Sequence, residues 1–319
     1  MQTDLDINLT VKSIHVEAEG VISIGLVASD GQALPAWTPG AHITVVVGSQ
    51  LERQYSLCGD PGNADEWQIA VLKEPESRGG STWIHDHLKV GDVLRAGLPS
   101  NQFPLDSASA YKFVAGGIGI TPFLPMIQSL SRRGASWQLL YGGRHLRSMA
   151  FVEMLRRYGK RVLVVPEDQH GLLDLKGWIG SPQPGEVIYC CGPERLLQAV
   201  EAHGEAWPEG VLHIERFRAR PGALEGSVDS NAPFEVVLAK SGRSCSVGPD
   251  ETIIDALDKV GVHVPRSCGE GTCGTCLTTV LEGTPDHRDS FLMGKKRAAN
   301  NAICVCCSRS SSAKLVLDL

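Results

Sequence analysis

Arg266-Ser-Cys-Gly-Glu-Gly-Thr-Cys-Gly-Thr-Cys276 is the stretch that orders the rest of the chain. Its cysteines, Cys268, Cys273 and Cys276, are spaced C-x4-C-x2-C, and Cys304, Cys306 and Cys307 follow about 30 residues later. Soft thiolates hold iron, and this is the spacing of a plant-type [2Fe–2S] site. Gly269, Gly271 and Gly274 let the loop wrap tightly and aim backbone N–H groups at cluster sulfurs, where donors stabilise an added electron. Structural zinc, whose sites usually pair two C-x2-C units, is the competing reading; the glycine-rich residues between Cys268 and Cys276 speak for iron instead. Spacing leaves the fourth ligand open. On a strand, Cys306 and Cys307 point to opposite faces and Cys304 shares a face with Cys306, so at most one of the three completes the set.

Outside this cluster the cysteines are scattered, at Cys58, Cys190, Cys191 and Cys245. Such clustering in a reducing compartment points to metal rather than disulfides. The chain has 319 residues, enough for two or three domains, with 42% hydrophobic and 21% charged residues. A formal charge of −6 and 6% aromatics argue against a general nucleic-acid binder. The opening MQTDLDINLT carries no apolar signal core. The longest uncharged stretch, Phe113 to Ser131, is interrupted by Gly116, Gly117, Gly119, Pro122 and Pro125, which is wrong for a lipid-exposed span. The expectation is a cytoplasmic enzyme with no membrane anchor.

Upstream, residues 1–105 read as short strands divided by turns: Ile43-Thr-Val-Val-Val47 and Trp67-Gln-Ile-Ala-Val-Leu72, with Pro39-Gly40, Pro61-Gly62 and Gly79-Gly80 between and after them. That predicts a small antiparallel β-barrel. Residues 106–222 alternate strands (Tyr111–Ala115, Trp137–Tyr141, Arg161–Val165, Glu186–Cys190) with helices (Pro122–Arg133, Met149–Tyr158, Glu194–His203), which predicts a parallel α/β sheet. The run Phe217 to Pro233 is rich in Gly, Pro, Ser and Ala, and 223–233 is taken as the linker. Residues 234–319 restart with the strand Phe234–Leu238 and a helix from Asp250, as N-cap, to Val260, giving an α+β cluster domain.

Four shorter motifs suggest cofactor sites. In Arg53-Gln-Tyr-Ser56 the arginine can pair with phosphate, the tyrosine can pack on a flavin ring, and the serine hydroxyl can reach its reactive nitrogen. Arg78-Gly-Gly-Ser-Thr82 offers close backbone approach and two hydroxyls to a phosphate. Gly116-Gly-Ile-Gly-Ile-Thr-Pro122 lies at a strand-to-helix junction that attracts pyrophosphate, although Pro122 stands where a dinucleotide fingerprint has its third glycine. Tyr189-Cys-Cys-Gly-Pro193 ends a strand at the carboxyl edge of the sheet; Cys190 reads as buried filler, while Cys191, Gly192 and Pro193 read as nicotinamide pocket.

Taken in order, these motifs resemble the phthalate dioxygenase reductase family, the FMN- and [2Fe–2S]-containing NADH reductases of Rieske oxygenase systems, to which vanillate demethylase reductases are close. The resemblance spans nearly the whole chain, including Asp286-His-Arg-Asp289 and the ending Leu315-Val-Leu-Asp-Leu319. It implies an FMN-binding barrel, an NADH-binding α/β domain and a plant-type ferredoxin domain. It implies flavin contacts from Arg53, Gln54, Tyr55, Ser56, Val71, Leu72, Lys73, Gly79, Gly80, Ser81, Thr82, Thr121 and Phe217. Gly116, Gly117, Gly119, Cys191, Gly192 and Pro193 would serve the nicotinamide nucleotide. Ser56, Thr121 and Cys191 would stand nearest hydride transfer. The ending Cys306-Cys-Ser-Arg309 implies Cys306 as the fourth ligand, beside Cys268, Cys273 and Cys276.

The function so implied moves electrons from NADH through FMN to the cluster and on to a terminal Rieske non-haem iron oxygenase. A hydride brings two electrons and iron takes one, so a flavin must stand between. An NADH-dependent flavin or ferric reductase, or an oxidase, is the alternative. A cluster-based redox sensor is disfavoured, because no DNA-reading element is visible. Arg144 and Arg147 read as solvated rather than as holding a 2′-phosphate. His85-Asp-His87, despite a strand-like metal spacing, is set aside as a surface feature.

Overall fold

The computed structural model describes residues 7–48, 50–225 and 231–319. The chain start and the middle of the expected linker, residues 226–230, lie outside the described residues. The chain forms two compact units, Met1–Glu215 and Arg216–Leu319.

The first unit begins with six antiparallel strands: β1 (Ile7–Ala18), β2 (Val21–Ala28), β3 (His42–Val47), β4 (Leu51–Ser56), β5 (Trp67–Leu72) and β6 (Val93–Ala96), in the order β4-β3-β6-β1-β2-β5. Just past β4, Leu57 bridges Ile69 of β5, so the two edges meet and the sheet closes into a barrel. Alternate residues face inward, as the two-residue strand period requires: Leu9 and Val11, Ile24 and Leu26, Ile43, Val45 and Val47, Trp67, Ile69 and Val71. A helix not foreseen from the sequence, α1 (Gly80–His87), packs Ile84 into this core. It corrects the strand-like reading of His85 and His87. Two positions apart on a helix they diverge: His85 Nε2 lies 3.0 Å from the Val71 carbonyl, and the His87 ring stacks on Trp83.

Five parallel strands follow, β7 (Ala110–Gly116), β8 (Ser136–Gly143), β9 (Val162–Pro166), β10 (Glu186–Cys191) and β11 (Leu212–Glu215), in the order β11-β10-β7-β8-β9. Both faces are covered, so the carboxyl-terminal parts of the central strands, Phe113–Gly116, Leu139–Gly143 and Val187–Cys191, carry no charged side chain. Phe113, Leu139, Tyr141 and Tyr189 face one core with α2 (Phe123–Arg132); Val114, Leu140, Ile188 and Cys190 face the other. The helix expected over Met149–Tyr158 shrinks to α3 (Val152–Arg156), because Phe151 takes a left-handed φ of 63° and interrupts it. The short α4 (Glu167–His170) follows β9, and α5 (Leu175–Ile179) and α6 (Glu194–Gly204) cover the second face. The barrel contributes Val21, Cys58, Ala70 and Phe103 to the first of these cores. Tyr189 reinforces the junction: its hydroxyl accepts from the Asp106 N–H at 2.8 Å and donates to the Pro104 carbonyl at 2.9 Å. Barrel and parallel sheet therefore share packing, which explains why they form one unit.

The second unit contains β12 (Phe234–Leu238), β13 (Ser244–Val247), α7 (Ile253–Lys259), β14 (Leu277–Glu282), β15 (Pro285–Asp286), α8 (Gly294–Ala298), β16 (Ala302–Cys304), β17 (Arg309–Ser310) and β18 (Lys314–Leu317). Its main sheet runs β13-β12-β18-β14-β16. The cap of α7 is Thr252 rather than Asp250. Thr252 Oγ1 accepts from the Asp255 N–H at 3.1 Å and the Asp255 carboxylate accepts back from Thr252, a reciprocal capping box that Asp250 lacks the register to form. Thr252→Ala should lower the stability of this unit by about 1 kcal/mol in a urea melt, with an unchanged slope. Ahead of the expected linker 223–233 the chain is docked on the second unit: the Arg220 N–H donates to Ser290 Oγ at 2.8 Å, and Arg216 Nη1 reaches Met293 Sδ at 3.3 Å.

Candidate functional site

The order of the parallel sheet fixes where a ligand can sit. From β7 the chain builds outward through β8 and β9, then returns to the other side of β7 with β10. Such a reversal leaves a crevice at the carboxyl ends of the two central strands, the usual ligand position in open α/β sheets. Gly116–Thr121 follows β7 and Gly192–Pro193 follows β10, so the two sequence motifs meet at this switch point.

The glycines there act by closeness. A Cβ on Gly119 would stand 2.3 Å from the Cys191 carbonyl oxygen, and one on Gly192 would stand 2.9 Å from Gly116 Cα. Gly117 has open space and φ of 54°, the only one of these that needs a left-handed backbone. Gly117–Ile120 winds into one 3-10 turn that adjoins β5 of the barrel. Thr121 is buried, with Oγ1 donating to the Ile118 carbonyl at 3.0 Å. Cys191 is fully buried, with its thiol 3.9 Å from Glu215 Oε2.

Glu215 escaped the sequence reading; only its place at the end of β11, in register with Cys191, marks it. Burial of its carboxyl pushes the pKa up to about 8 from 4.5, against a small opposing effect of the Cys191 thiol. The folded state thus keeps a proton that the unfolded chain loses above 4.5, so this contribution to stability is present below that pH and is lost as pH rises through about 8. Glu215→Gln should remove that part of the decline: between pH 5.5 and 8.5 the variant should lose less melting temperature than the parent, and equal slopes would refute the assignment.

On the barrel, Arg53 lies across the start of α1. Its Nη1 donates to the Glu52 carbonyl and its Nη2 to the Arg78 carbonyl, both at 2.7 Å, and a Cβ on Gly80 would meet the Arg53 side chain at 2.7 Å. Gly79, with φ of 89°, permits the turn into α1. Ser81 Oγ donates to Ser77 Oγ at 3.0 Å and accepts from the Glu74 N–H at 3.2 Å; the Thr82 N–H reaches Ser77 Oγ at 3.4 Å. This is a compact array of hydroxyls, amide groups and a guanidinium, chemistry that suits a phosphate. Gln54 Nε2 lies 3.0 Å from His42 Nε2, and Ser56 is buried. Burial pushes the Tyr55 phenol up to about 12, so it stays protonated and presents a neutral ring. Val71 turns its side chain into the barrel core, Leu72 packs against the neighbouring core, and Lys73 pairs with Asp86 at 2.5 Å. Phe217 belongs to the second unit and is 42% exposed.

In the second unit the loop before β14 and the turn after β16 bring cysteines together. Cys304 ends β16, and residues 305–307 form a turn, so the strand alternation expected for Cys304, Cys306 and Cys307 does not apply. The Cys268 thiol stands against those of Cys273 and Cys306, and the Cys276 thiol against those of Cys304 and Cys306. Donation from these neighbours favours ionised Cys268 and Cys276, while Cys273 and Cys306 are pushed up. The Glu270 and Thr272 N–H groups point at Cys268 Sγ at 3.4 and 3.3 Å, and Thr275 Oγ1 lies 3.2 Å from Cys273 Sγ. At Gly271, with φ of 68°, a Cβ would strike Cys307 Sγ at 2.5 Å and Asp289 Cα at 2.7 Å. Thiolate donors ringed by backbone amides fit an iron–sulfur cluster. Asp286–Asp289 forms a buttress beneath: the Asp289 carboxylate accepts from the Leu292 N–H at 2.6 Å, and the Ser290 N–H donates to the Gly271 carbonyl at 2.9 Å.

Residues 236–311 match the 2Fe-2S iron-sulfur cluster binding domain family. Over 98% of this chain and 97% of the relative, the sequence is 40% identical to a phenoxybenzoate dioxygenase subunit beta of Ectopseudomonas oleovorans. A solved phthalate dioxygenase reductase, described as a modular structure for electron transfer from pyridine nucleotides to [2Fe-2S], superposes with a TM-score of 0.71 at 35% identity over 98% of both chains. The chain belongs to the phthalate dioxygenase reductase family. Like others of that family it is an oxidoreductase, with an antiparallel barrel, a parallel sheet and a C-terminal cluster domain. An intact type IV self-sufficient cytochrome P450 monooxygenase matches with a TM-score of 0.85 at 40% identity, over 98% of this chain but 41% of that one. Among the described residues, no helix is long and apolar enough to cross a membrane.

Proposed function

We propose that this protein is the cytoplasmic reductase component of a Rieske-type aromatic-ring dioxygenase or O-demethylase system, taking electrons from NADH through FMN to a [2Fe–2S] cluster and on to the terminal oxygenase. The observation that carries the reading is the presence, in one chain, of a switch-point crevice, a phosphate-suited array on the adjoining barrel, and a separate unit with four convergent thiols held by Cys268, Cys273, Cys276 and Cys306.

Bound flavin supplies the conversion of a two-electron donor into single-electron deliveries, which the cluster carries one at a time. The residues of this chain supply position. Arg53, with Gly79, Gly80, Ser81 and Thr82, would hold the FMN phosphate. Gln54, Tyr55, Ser56, Val71, Leu72 and Lys73 would line the ring, Val71 and Lys73 through their backbone, since their side chains are engaged elsewhere. Phe217 would cover its face. Thr121, Cys191, Gly192 and Pro193, with Gly116, Gly117 and Gly119 keeping the strand ends close, would receive the nicotinamide. Protonated Glu215 beside Cys191 would give the cationic oxidised nicotinamide no counter-charge there at neutral pH, which would favour the neutral reduced ring.

Anaerobic titration with NADH, followed by visible absorbance and electron paramagnetic resonance, tests the reading. Flavin bleaching together with a reduced-cluster signal is expected in iron-loaded protein. Bleaching of flavin alone would favour a flavin or ferric reductase or an oxidase, and a zinc-loaded, iron-free protein would overturn the cluster. A haem monooxygenase as the final acceptor is the second reading, supported by the match to the self-sufficient P450; reduction of a purified Rieske oxygenase, but not of a P450 haem domain, separates the two.

A further inference from the structure

We propose that Cys304 is a reserve ligand, a thiol placed beside Cys276 so that it would take over from Cys306 in holding the cluster. This rests on the cluster reading above and goes beyond it, since that reading needs only four cysteines.

The placement follows from backbone register. The β14–β16 ladder pairs Leu277 with Cys304 and Thr278 with Ile303. The Val305 N–H reaches the Cys276 carbonyl at 3.5 Å, so the backbone on both sides of Cys304 is tied to the strand that leaves Cys276. From there the Cys304 thiol stands against the Cys276 thiol, as the Cys306 thiol does. Cys306 alone of the two also meets Cys268, which makes it the better-placed ligand and Cys304 the substitute. Cys307 is aimed elsewhere, toward the Cys304 carbonyl and the Ser308 hydroxyl, each at 3.8 Å.

Chemistry favours the same division. Four cysteines bind a [2Fe–2S] centre; five thiols lie in one connected set here, Cys268 meeting Cys273 and Cys306, and Cys276 meeting Cys306 and Cys304, so Cys304 is one more than the centre needs. Cys304 is fully buried between Ile303 and Val305, which are also fully buried. Any small apolar side chain would fill that space, so packing alone gives no reason for sulfur there. In the exchange Cys304 loses its thiol proton and forms the iron–Sγ bond, while Cys306 leaves the iron and takes up a proton. No electron is gained or lost.

The test reads iron content and spectra in the full chain. Cys306→Ala is expected to purify with about two irons per chain and a thiolate-type visible spectrum, with electron paramagnetic resonance g-values displaced from the parent's. Cys304→Ala/Cys306→Ala should lose at least roughly tenfold in iron. Flavin absorbance and the far-ultraviolet spectrum report folding. Cys306→Ser preserves side-chain volume should the alanine variant fail to fold; here takeover by Cys304 predicts a spectrum of four thiolates, and Cys304→Ala/Cys306→Ser a blue-shifted one from oxygen ligation. Iron-free Cys306 variants, or single and double variants with the same iron and spectra, would overturn the proposal. Parent protein without iron would instead overturn the cluster reading itself.

Discussion

Cys273→Ala should leave NADH-dependent flavin reduction within about twofold of the parent while cutting electron delivery to a one-electron protein acceptor by roughly 100-fold or more. The asymmetry follows from the division of the chain. Cys273 lies in the second unit, its thiol against that of Cys268. Removing it leaves one position of an iron open to water, and the cluster is lost. The residues assigned to flavin and nicotinamide, Phe217 excepted, lie in the first unit, whose cores are formed by other parts of the chain. The acceptor must be a protein such as cytochrome c, because small oxidants such as ferricyanide take electrons directly from a reduced flavin. Stopped-flow bleaching and acceptor reduction in the same preparation give the two rates. A parallel fall in both would show that the units do not divide the labour in this way; an unchanged acceptor rate would show that the cluster is off the path.

The features legible in the sequence were those set by local chemistry or by period. The strand-like runs Ile43–Val47 and Trp67–Leu72, set off by turn residues, announced barrel strands, and Ile43, Val45, Val47, Trp67, Ile69 and Val71 do fill the barrel core. The alternation of strands such as Tyr111–Ala115 and Glu186–Cys190 with helices announced a parallel sheet, and both of its faces are covered. What stayed hidden depended on partners distant in the chain. Gly79-Gly80 looked like a turn, yet it opens α1, whose Ile84 is drawn into the barrel. Cys304, Cys306 and Cys307 looked like strand residues, yet β16 stops at Cys304 and the turn gathers thiols toward Cys276. Glu215 carries no motif, and its significance arises only when β11 aligns it with Cys191. Arg147 was read as a solvated residue, and its pairing with Glu19 at 2.7 Å, exposed on both sides, is in keeping with that reading.

The glycines of the Gly116–Pro122 turn separate conformation from space, and substitution distinguishes the two. Gly117→Ala meets nothing within 4 Å, so its cost is that of a left-handed backbone, roughly 1–2 kcal/mol. At Gly119 φ is not positive, and alanine is free to adopt the backbone. The obstacle is the Cys191 carbonyl at 2.3 Å and the Gly192 nitrogen at 2.7 Å, both main-chain atoms at the end of a central strand. No flexible side chain stands there to swing aside, so β7 and β10 must part at their carboxyl ends. Overpacking against rigid backbone lies at the upper end of its usual range, about 3 kcal/mol. In a unit of this size that corresponds to a fall of roughly 6–12 °C in melting temperature. Because the strain falls on the switch point, nucleotide affinity should drop with it: NADH should bind Gly119→Ala at least roughly tenfold more weakly, even well below its melting temperature. Gly117→Ala serves as the control, with the smaller thermal shift. If the Gly119 variant melts and binds as the parent does, the strand ends are not in contact; if it melts as the parent does but binds NADH more weakly, the glycine serves the nucleotide directly rather than the strand contact.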